Sequence, residues 1–513
     1  MWAAGAMCEE APLGAMIMRA EHREGGPGLR FAQRNHSGGF ARLRRGERTG
    51  RFDKDLLSAV HGPELPDEST MHMVIDLALR IGEVQMSSGA GAADVTATIY
   101  AITNAYGLPH CEVDVIYTSI TISCHRGRQF SPVTAVRVVR SRGSDYTRLA
   151  DTEKLAARIT AGKIAADDAT AELDRITTAL HPYPRWVATV AFAGLAACIS
   201  VLIGGNGLTA SIAAVVTALV DRVGRRLNKR GLPFFFQQMI GGALATSASL
   251  LIVYSGLFSK QLQEPSLIIA AAITVLLSGL SVVGTVQDAV TGYNVTAAGR
   301  SIEVALMSIG LIAGVVIALK LAVELARKSG IELSNVAPRP GNIVLTTSDL
   351  PVQVVTGGGA AAFFALASYA TVRALLVAGG AGSLGALLYY SLQLVGLDLV
   401  TTSALAALLI GLMGGVWSRR LRIPPVIVAV SGLTPLLPGM STYRALSELI
   451  VDQNSAGLGN LMLAIAIALA LGAGVVFGEF IGQPVRTGLG RLERKFSGPR
   501  MAGPLRAADR PLE

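Results

Sequence analysis

The sequence predicts an α-helical polytopic membrane protein, with about ten transmembrane helices in two five-helix inverted repeats preceded by a small cytoplasmic α+β domain. Three observations predict it. Of 513 residues, 51% are hydrophobic and only 16% charged, with a mean hydropathy of +0.48, too apolar for an ordinary soluble fold. Ten apolar runs follow residue 183, each near the roughly 20 residues a helix needs to cross about 30 Å of hydrocarbon. The 45 Lys and Arg residues gather in the termini and in short loops between those runs, which is a topology signal and not a nucleic-acid footprint.

Residues 1–66 are rich in Gly and Arg, as in RLRRGERTGR, and lack hydrophobic periodicity, so they read as a disordered basic arm. Glu9, Glu10 and Glu21, with no apolar stretch among them, do not make a signal peptide, and the following domain is therefore expected in the cytoplasm. Residues 67–183 carry the pattern of that α+β domain. Helical periodicity runs through MHMVIDLALRIGEVQMSS and VTATIYAITNAYGL, joined by the turn SGAGAAD, whose Asp94 is a natural helix N-cap. CEVDVIYTSITISC and TAVRVVR alternate apolar and polar residues, predicting two strands joined as a hairpin through HRGRQFSP. Helices around TEKLAARITAG and DDATAELDRITTAL follow, and HPYP (His181–Pro184) breaks the chain.

Cys8, Cys111, Cys124 and Cys198 lack CxxC spacing, so no disulfide framework is expected and a reducing compartment suits the domain. His110-Cys111 and Cys124-His125 contain zinc-ligating residue types, but neighbouring strand residues point to opposite faces. No metal and no cofactor is expected. Neither a Ser-His-Asp nor an HExxH constellation is present to suggest hydrolysis.

The first repeat, 184–327, holds spans at Trp186–Gly204, Leu208–Val223, Phe234–Leu257, Ser266–Val286 and Ile302–Val323. A polar connector, 328–350, leads to the second repeat, 351–483, whose spans begin near Val352, Gly382, Leu399, Ile423 and Leu458; a basic tail, 484–513, ends the chain. With the domain inside, DRVGRRLNKR, SRRLR and RTGLGRLERK all face the cytoplasm, whereas Lys320, Arg327 and Lys328 fall outside beside Glu324 and Glu332. Because five is odd, related groups must lie in the bilayer with opposite orientation. Ser278-Gly279-Leu280-Ser281 in the fourth span and Ser431-Gly432-Leu433-Thr434 in the ninth, trailed by Gly284 and Gly439, support that relation. Close helix packing through small residues is the plain alternative.

Chemistry concentrates in two places. Pro435 and Pro438 each remove a backbone donor inside the ninth span, predicting a broken helix of the kind that holds polar solute groups at mid-membrane. The fourth span runs into GTVQDAVTGYNVTAAGRSIE, with Gln287, Asp288, Asn294, Arg300 and Glu303 at its inner end. A carboxylate there can pair an ammonium or carry a proton, and an Arg can grip a carboxylate through two parallel hydrogen bonds, so Asp288 with Arg300 suits a zwitterion. A solvated loop is the competing reading. Asp221, Arg373, Asp398, Arg444, Glu448 and Glu479 lie near predicted helix ends, and Gln237 and Gln238 are expected to bind neighbouring helices.

Over Met71–Gln483 the sequence resembles the threonine/serine exporter family of bacterial inner-membrane proteins. The likeness is carried by MVIDLALRIGEVQMSSGAGAADV, VDVIYTSITI, the AxxxLDRI helix, GLSVVGTVQDAVTGYNVTAAGR, SRRLRIPP and SGLTPLLPG. It implies a secondary carrier exporting threonine and serine on the proton-motive force, with these solutes, protons and the bilayer as partners, no nucleic acid, and homo-oligomerisation left open. The path would be lined by Ser278, Gly279, Asp288, Asn294, Arg300, Glu303, Ser431, Gly432, Pro435, Pro438 and Gly439. Split relatives in the family imply an alternative, export of small dicarboxylates such as succinate, in which Arg300 and Arg444 would matter more. A membrane-anchored hydrolase is the second alternative.

Overall fold

The computed structural model describes residues 67–108, 110–125, 131–140, 143–255, 265–276, 279–329, 346–421, 423–450 and 455–482. The basic arm, the tail, most of the connector and Ser278 lie outside them.

Two amphipathic helices, α1 (Glu68–Ser87) and α2 (Ala92–Ala105), pack on an antiparallel sheet ordered β1-β2-β3. Leu77, Ile81, Ile99, Ile120 and Ile122 are the centre of that core. The strands are β1 (Cys111–Ile116), β2 (Ser119–Cys124) and β3 (Val133–Val138). The segment expected as one strand is thus two, reversed at Tyr117, whose φ is +53°. The signal was a change of phase: buried positions are Cys111, Val113 and Val115 before the turn but Ile120, Ile122 and Cys124 after it.

The same hairpin overturns the expectation of no disulfide. Cys111 and Cys124 stand directly opposite one another across β1 and β2 and are bonded. Spacing in the sequence hides this, because a tight hairpin brings face to face any two residues equally far from its turn. Helices α3 (Tyr146–Thr160) and α4 (Ala166–Thr178) complete this layer.

The apolar part begins with α5 (Arg185–Leu202), α6 (Gly207–Lys229) and α7 (Phe234–Tyr254). A bent pair follows, α8 (Pro265–Leu276) and α9 (Gly279–Val290), and then the long α10 (Asn294–Ser329). After a 3-10 turn at Thr347–Asp349 come α11 (Leu350–Ala367), α12 (Val372–Leu394) and α13 (Leu399–Leu421). The short α14 (Pro425–Leu433), a 3-10 turn (Thr434–Leu436), α15 (Gly439–Ile450) and α16 (Ala456–Gly482) end the described chain.

Among the described residues, eight helices are long and apolar enough to cross a membrane, and α8 with α9, bent by 50°, would make a ninth. The protein is therefore a multi-pass membrane protein. The span expected from Ile423 is instead two short helices, because Pro435 and Pro438 stop the first before it can cross. The span expected from Gly382 starts at Val372; Arg373 and a run of Ala and Gly had lowered its apparent hydropathy.

Both groups share one order: three helices, a broken fourth and a long fifth. In each, the third lies along the fifth with backbones almost touching. A methyl group on Gly314 of α10 would sit 1.9 Å from the Met239 carbonyl oxygen of α7, and one on Gly478 of α16 would sit 2.2 Å from that of Leu408 of α13. Only glycine permits such approach, and dispersion along the seam holds helices together where lipid removes the hydrophobic effect.

The broken helices exchange groups. From α8, Ile268 and Ala271 pack with Leu195 and Ala213 of the first group, while Val283 of α9 joins Ala407, Ile410 and Leu471 of the second. Conversely, Val428 of α14 packs with Ala374 and Ala378 of its own group, and Tyr443 of α15 enters the first beside Leu250, Ile269 and Leu319.

Candidate functional site at two crossed helix breaks

The exchange forces the broken helices to cross. At the crossing Gly439, the first residue of α15, lies against Thr274 near the end of α8; an added Cβ would come 1.6 Å from the Thr274 hydroxyl oxygen. The Thr274 hydroxyl donates to the carbonyl of Ala270 at 2.7 Å, which folds it onto its own helix and out of the way. Two residues on, the Gln238 amide donates to the carbonyl of Leu276, the last residue of α8, at 3.2 Å. Ser431 and Thr434 are buried on the other side of the break, and Thr434 donates back to Val430 at 3.0 Å. Gly432 allows α14 to close on α13: a methyl there would reach Ile410 at 2.8 Å.

The second cluster lies at the elbow between α9 and α10, and it is a joint with the extramembrane layer. Arg300 Nη1 is 2.8 Å from Asp288 Oδ2, with both side chains buried. The other Asp288 oxygen accepts the backbone N–H of Ala92 at 2.8 Å, the first amide of α2. Asp94 was expected to cap this helix, yet it stands third in it; Gly91 is the cap residue and has no side chain to offer. Asp288 caps the helix from another part of the molecule, placing its charge at the positive end of the dipole. Arg300 also donates to the Ala90 carbonyl at 3.3 Å, and Gly284 leaves it room, since a methyl there would meet Nη1 at 2.8 Å.

Around this pair the contacts continue. Gln287 donates to Asp94 at 2.9 Å, and Tyr293 donates to Thr96 at 3.0 Å. Thr296 accepts the Tyr117 amide at 3.0 Å and donates to Val115 at 3.0 Å, while the Tyr117 phenol donates to Glu303 at 3.3 Å. Glu153 of α3 is half-buried nearby, and desolvation, with the Asp94 carboxylate adding, pushes its carboxyl up to about 8. Asn294, by contrast, is exposed at the start of α10.

A third contact was not foreseen. Tyr146, the first residue of α3, is fully buried in a cluster of the second group with Ala365, Ala374, Ala378, Ile427 and Val428. Burial pushes its phenol well above its usual range, so it stays protonated. Nothing in the sequence singles this tyrosine out, because its partners lie more than 200 positions away. Thus Gly439 lies at the crossing, Ser431, Gly432, Pro435 and Pro438 line the break that leads to it, Gly279 opens α9, and Asp288, Arg300 and Glu303 gather at the elbow.

Paired broken helices that cross between two similarly ordered groups are the architecture of a membrane transport protein. The chain belongs to the threonine/serine exporter family: residues 76–322 match the description "Putative threonine/serine exporter" and residues 354–481 match "Threonine/Serine exporter, ThrE". It is similar to the "Probable threonine/serine exporter" of Mycobacterium tuberculosis, 38% identical over 441 residues, 85% of this chain and 81% of the relative. It is also similar to the "Threonine/serine exporter" of Corynebacterium glutamicum, 35% identical over 425 residues, 82% of this chain and 85% of the relative. No solved structure matches the chain. Family and relatives are named as transporters and not as enzymes.

Proposed function

We propose that the protein is a secondary carrier that exports threonine and serine on the proton-motive force, with its extramembrane domain and C-terminus in the cytoplasm and its two groups as inverted repeats. The observation that carries this reading is the Thr274–Gly439 crossing. The half-helix α15 begins beside it with its positive end, and α8 finishes there with its carbonyl end. A zwitterion fits both: its carboxylate at a half-helix N-terminus, its ammonium at the carbonyls. Ser431 supplies a hydroxyl of the kind that would select a hydroxyl-bearing side chain.

Asp288 and Arg300 take the coupling role in this reading. Protonating Asp288 would cancel the charge that holds Arg300 and the first amide of α2, loosening the elbow from the domain. Asn294 and Glu303 border the same joint. Inward movement of one proton against an outgoing zwitterion draws on the membrane potential, about 2.3 kcal/mol per charge per 100 mV.

Competition tests the substrate. Purified protein in liposomes loaded with labelled threonine should lose it in a manner that serine inhibits and succinate does not; inhibition by succinate and not serine would overturn the substrate and favour a dicarboxylate.

A further inference from the structure

We infer that Tyr146 is the gate residue on the domain side of the second helix break, closing access to Ser431 when seated and withdrawing for solute to pass. The inference rests on the proposed transport reading and adds the residue that moves.

The socket is built for an aromatic ring. Its walls include Ala365, Ala370, Ala374 and Ala378, none more than 2% exposed. Alanines leave a slot that their own side chains cannot fill, and close packing then requires something large from outside. Tyr146 is that insert, delivered from a helix belonging to the extramembrane layer. At the slot's far end the ring packs with Ile427 and Val428 of α14, in the turn that leads to Ser431, which is buried three residues before the 3-10 turn that breaks the helix. A ring removed from this slot would leave an alanine-walled opening that leads to α14 and its buried Ser431.

The insert is held by groups that can let go. The Tyr146 amide donates to Ser368 O at 2.9 Å, and Thr147 donates to Tyr369 O. Asp145 caps α3 by accepting the Arg148 amide at 3.0 Å, and His181 Nδ1 lies 2.9 Å from its other oxygen. His181 in turn stacks on Tyr369 with ring centroids 4.4 Å apart. Tyr369 is held at φ +59°, a conformation unusual for a non-glycine residue. The latch therefore joins three pieces of chain: the start of α3, the segment before α5 and the loop between α11 and α12. A carrier that alternates its access needs such a contact to break on one side.

Accessibility of Ser431 tests this without assuming a substrate. In the full-length protein in liposomes, Ser431→Cys is expected to react slowly with a small charged thiosulfonate from the domain side. Adding Tyr146→Ala should raise that rate by about tenfold or more, equivalent to removing about 1.4 kcal/mol of closure. Tyr146→Phe keeps the ring and should leave the rate low. Asp145→Asn keeps the helix cap while weakening the contacts to Arg148 and His181, so it should raise the rate several-fold even if Tyr146→Ala fails to insert. An unchanged rate in Tyr146→Ala, or in Asp145→Asn where the alanine variant cannot be made, overturns the gate whether or not threonine is carried. A rate that rises while wild-type protein moves no threonine upholds the gate and overturns the substrate reading.

Discussion

Asp288 serves two partners with one carboxylate, the guanidinium of Arg300 and the first amide of α2. Removing its charge leaves Arg300 buried beside a weaker acceptor, and breaking a buried pair this way costs about 3–5 kcal/mol. Asp288→Asn should therefore still insert in the membrane, lose gradient-coupled efflux, and expose the α1–α2 turn to limited proteolysis. Coupled efflux at the wild-type rate would remove Asp288 from the mechanism. Glu153 gives a separate pH dependence. Its carboxyl is raised from 4.5 to about 8, so the folded protein binds the proton more tightly than the unfolded chain does. Its stabilising contribution is complete below about 4.5 and is lost as pH rises through about 8. Melting of the wild type should fall across that window more steeply than melting of Glu153→Gln; parallel curves would contradict the assignment. The sequence exposed Asp288 and Arg300 as an unusual polar pair, since charge beside an apolar span stands out. It did not expose their partner, because a backbone amide has no sequence signature.

At the scale of elements, the two breaks matter most, and Gly439 is where they meet. Gly439→Ala should destabilise the protein by about 1–3 kcal/mol through overpacking against Thr274. Adding Thr274→Ala removes the oxygen but leaves that residue's Cβ 2.8 Å from the new methyl, so it should recover stability only in part. Melting temperatures of the single and double variants check this; full tolerance of Gly439→Ala would argue against the crossing. Helix positions were largely legible, because apolar runs and prolines act locally: Pro435 and Pro438 announced the second break directly. The first break had no proline to mark it, and the matching Ser-Gly-Leu run pointed to it only by analogy. The β1–β2 turn was missed because alternation continues on both sides of Tyr117 and only its phase changes, and with the turn went the Cys111–Cys124 bond.

At the scale of the whole molecule, the extramembrane layer touches both groups: α2 at the elbow of the first, α3 at the break of the second. A rigid layer gripping both would resist their relative movement, so release at either joint would free the carrier to change its access. In the proposed reading, protonation at Asp288 and withdrawal of Tyr146 act as the two releases of one transport cycle. The sequence announced the membrane groups through hydropathy but gave no sign that the domain reaches into them, since buried contacts between distant segments carry no periodicity. The most direct measurement is threonine efflux from liposomes containing only this protein, with and without an imposed inward proton gradient. Efflux that accelerates with the gradient and stops accelerating when a protonophore collapses it is the predicted result. Efflux indifferent to the gradient, or no threonine movement at all, would contradict a proton-driven exporter.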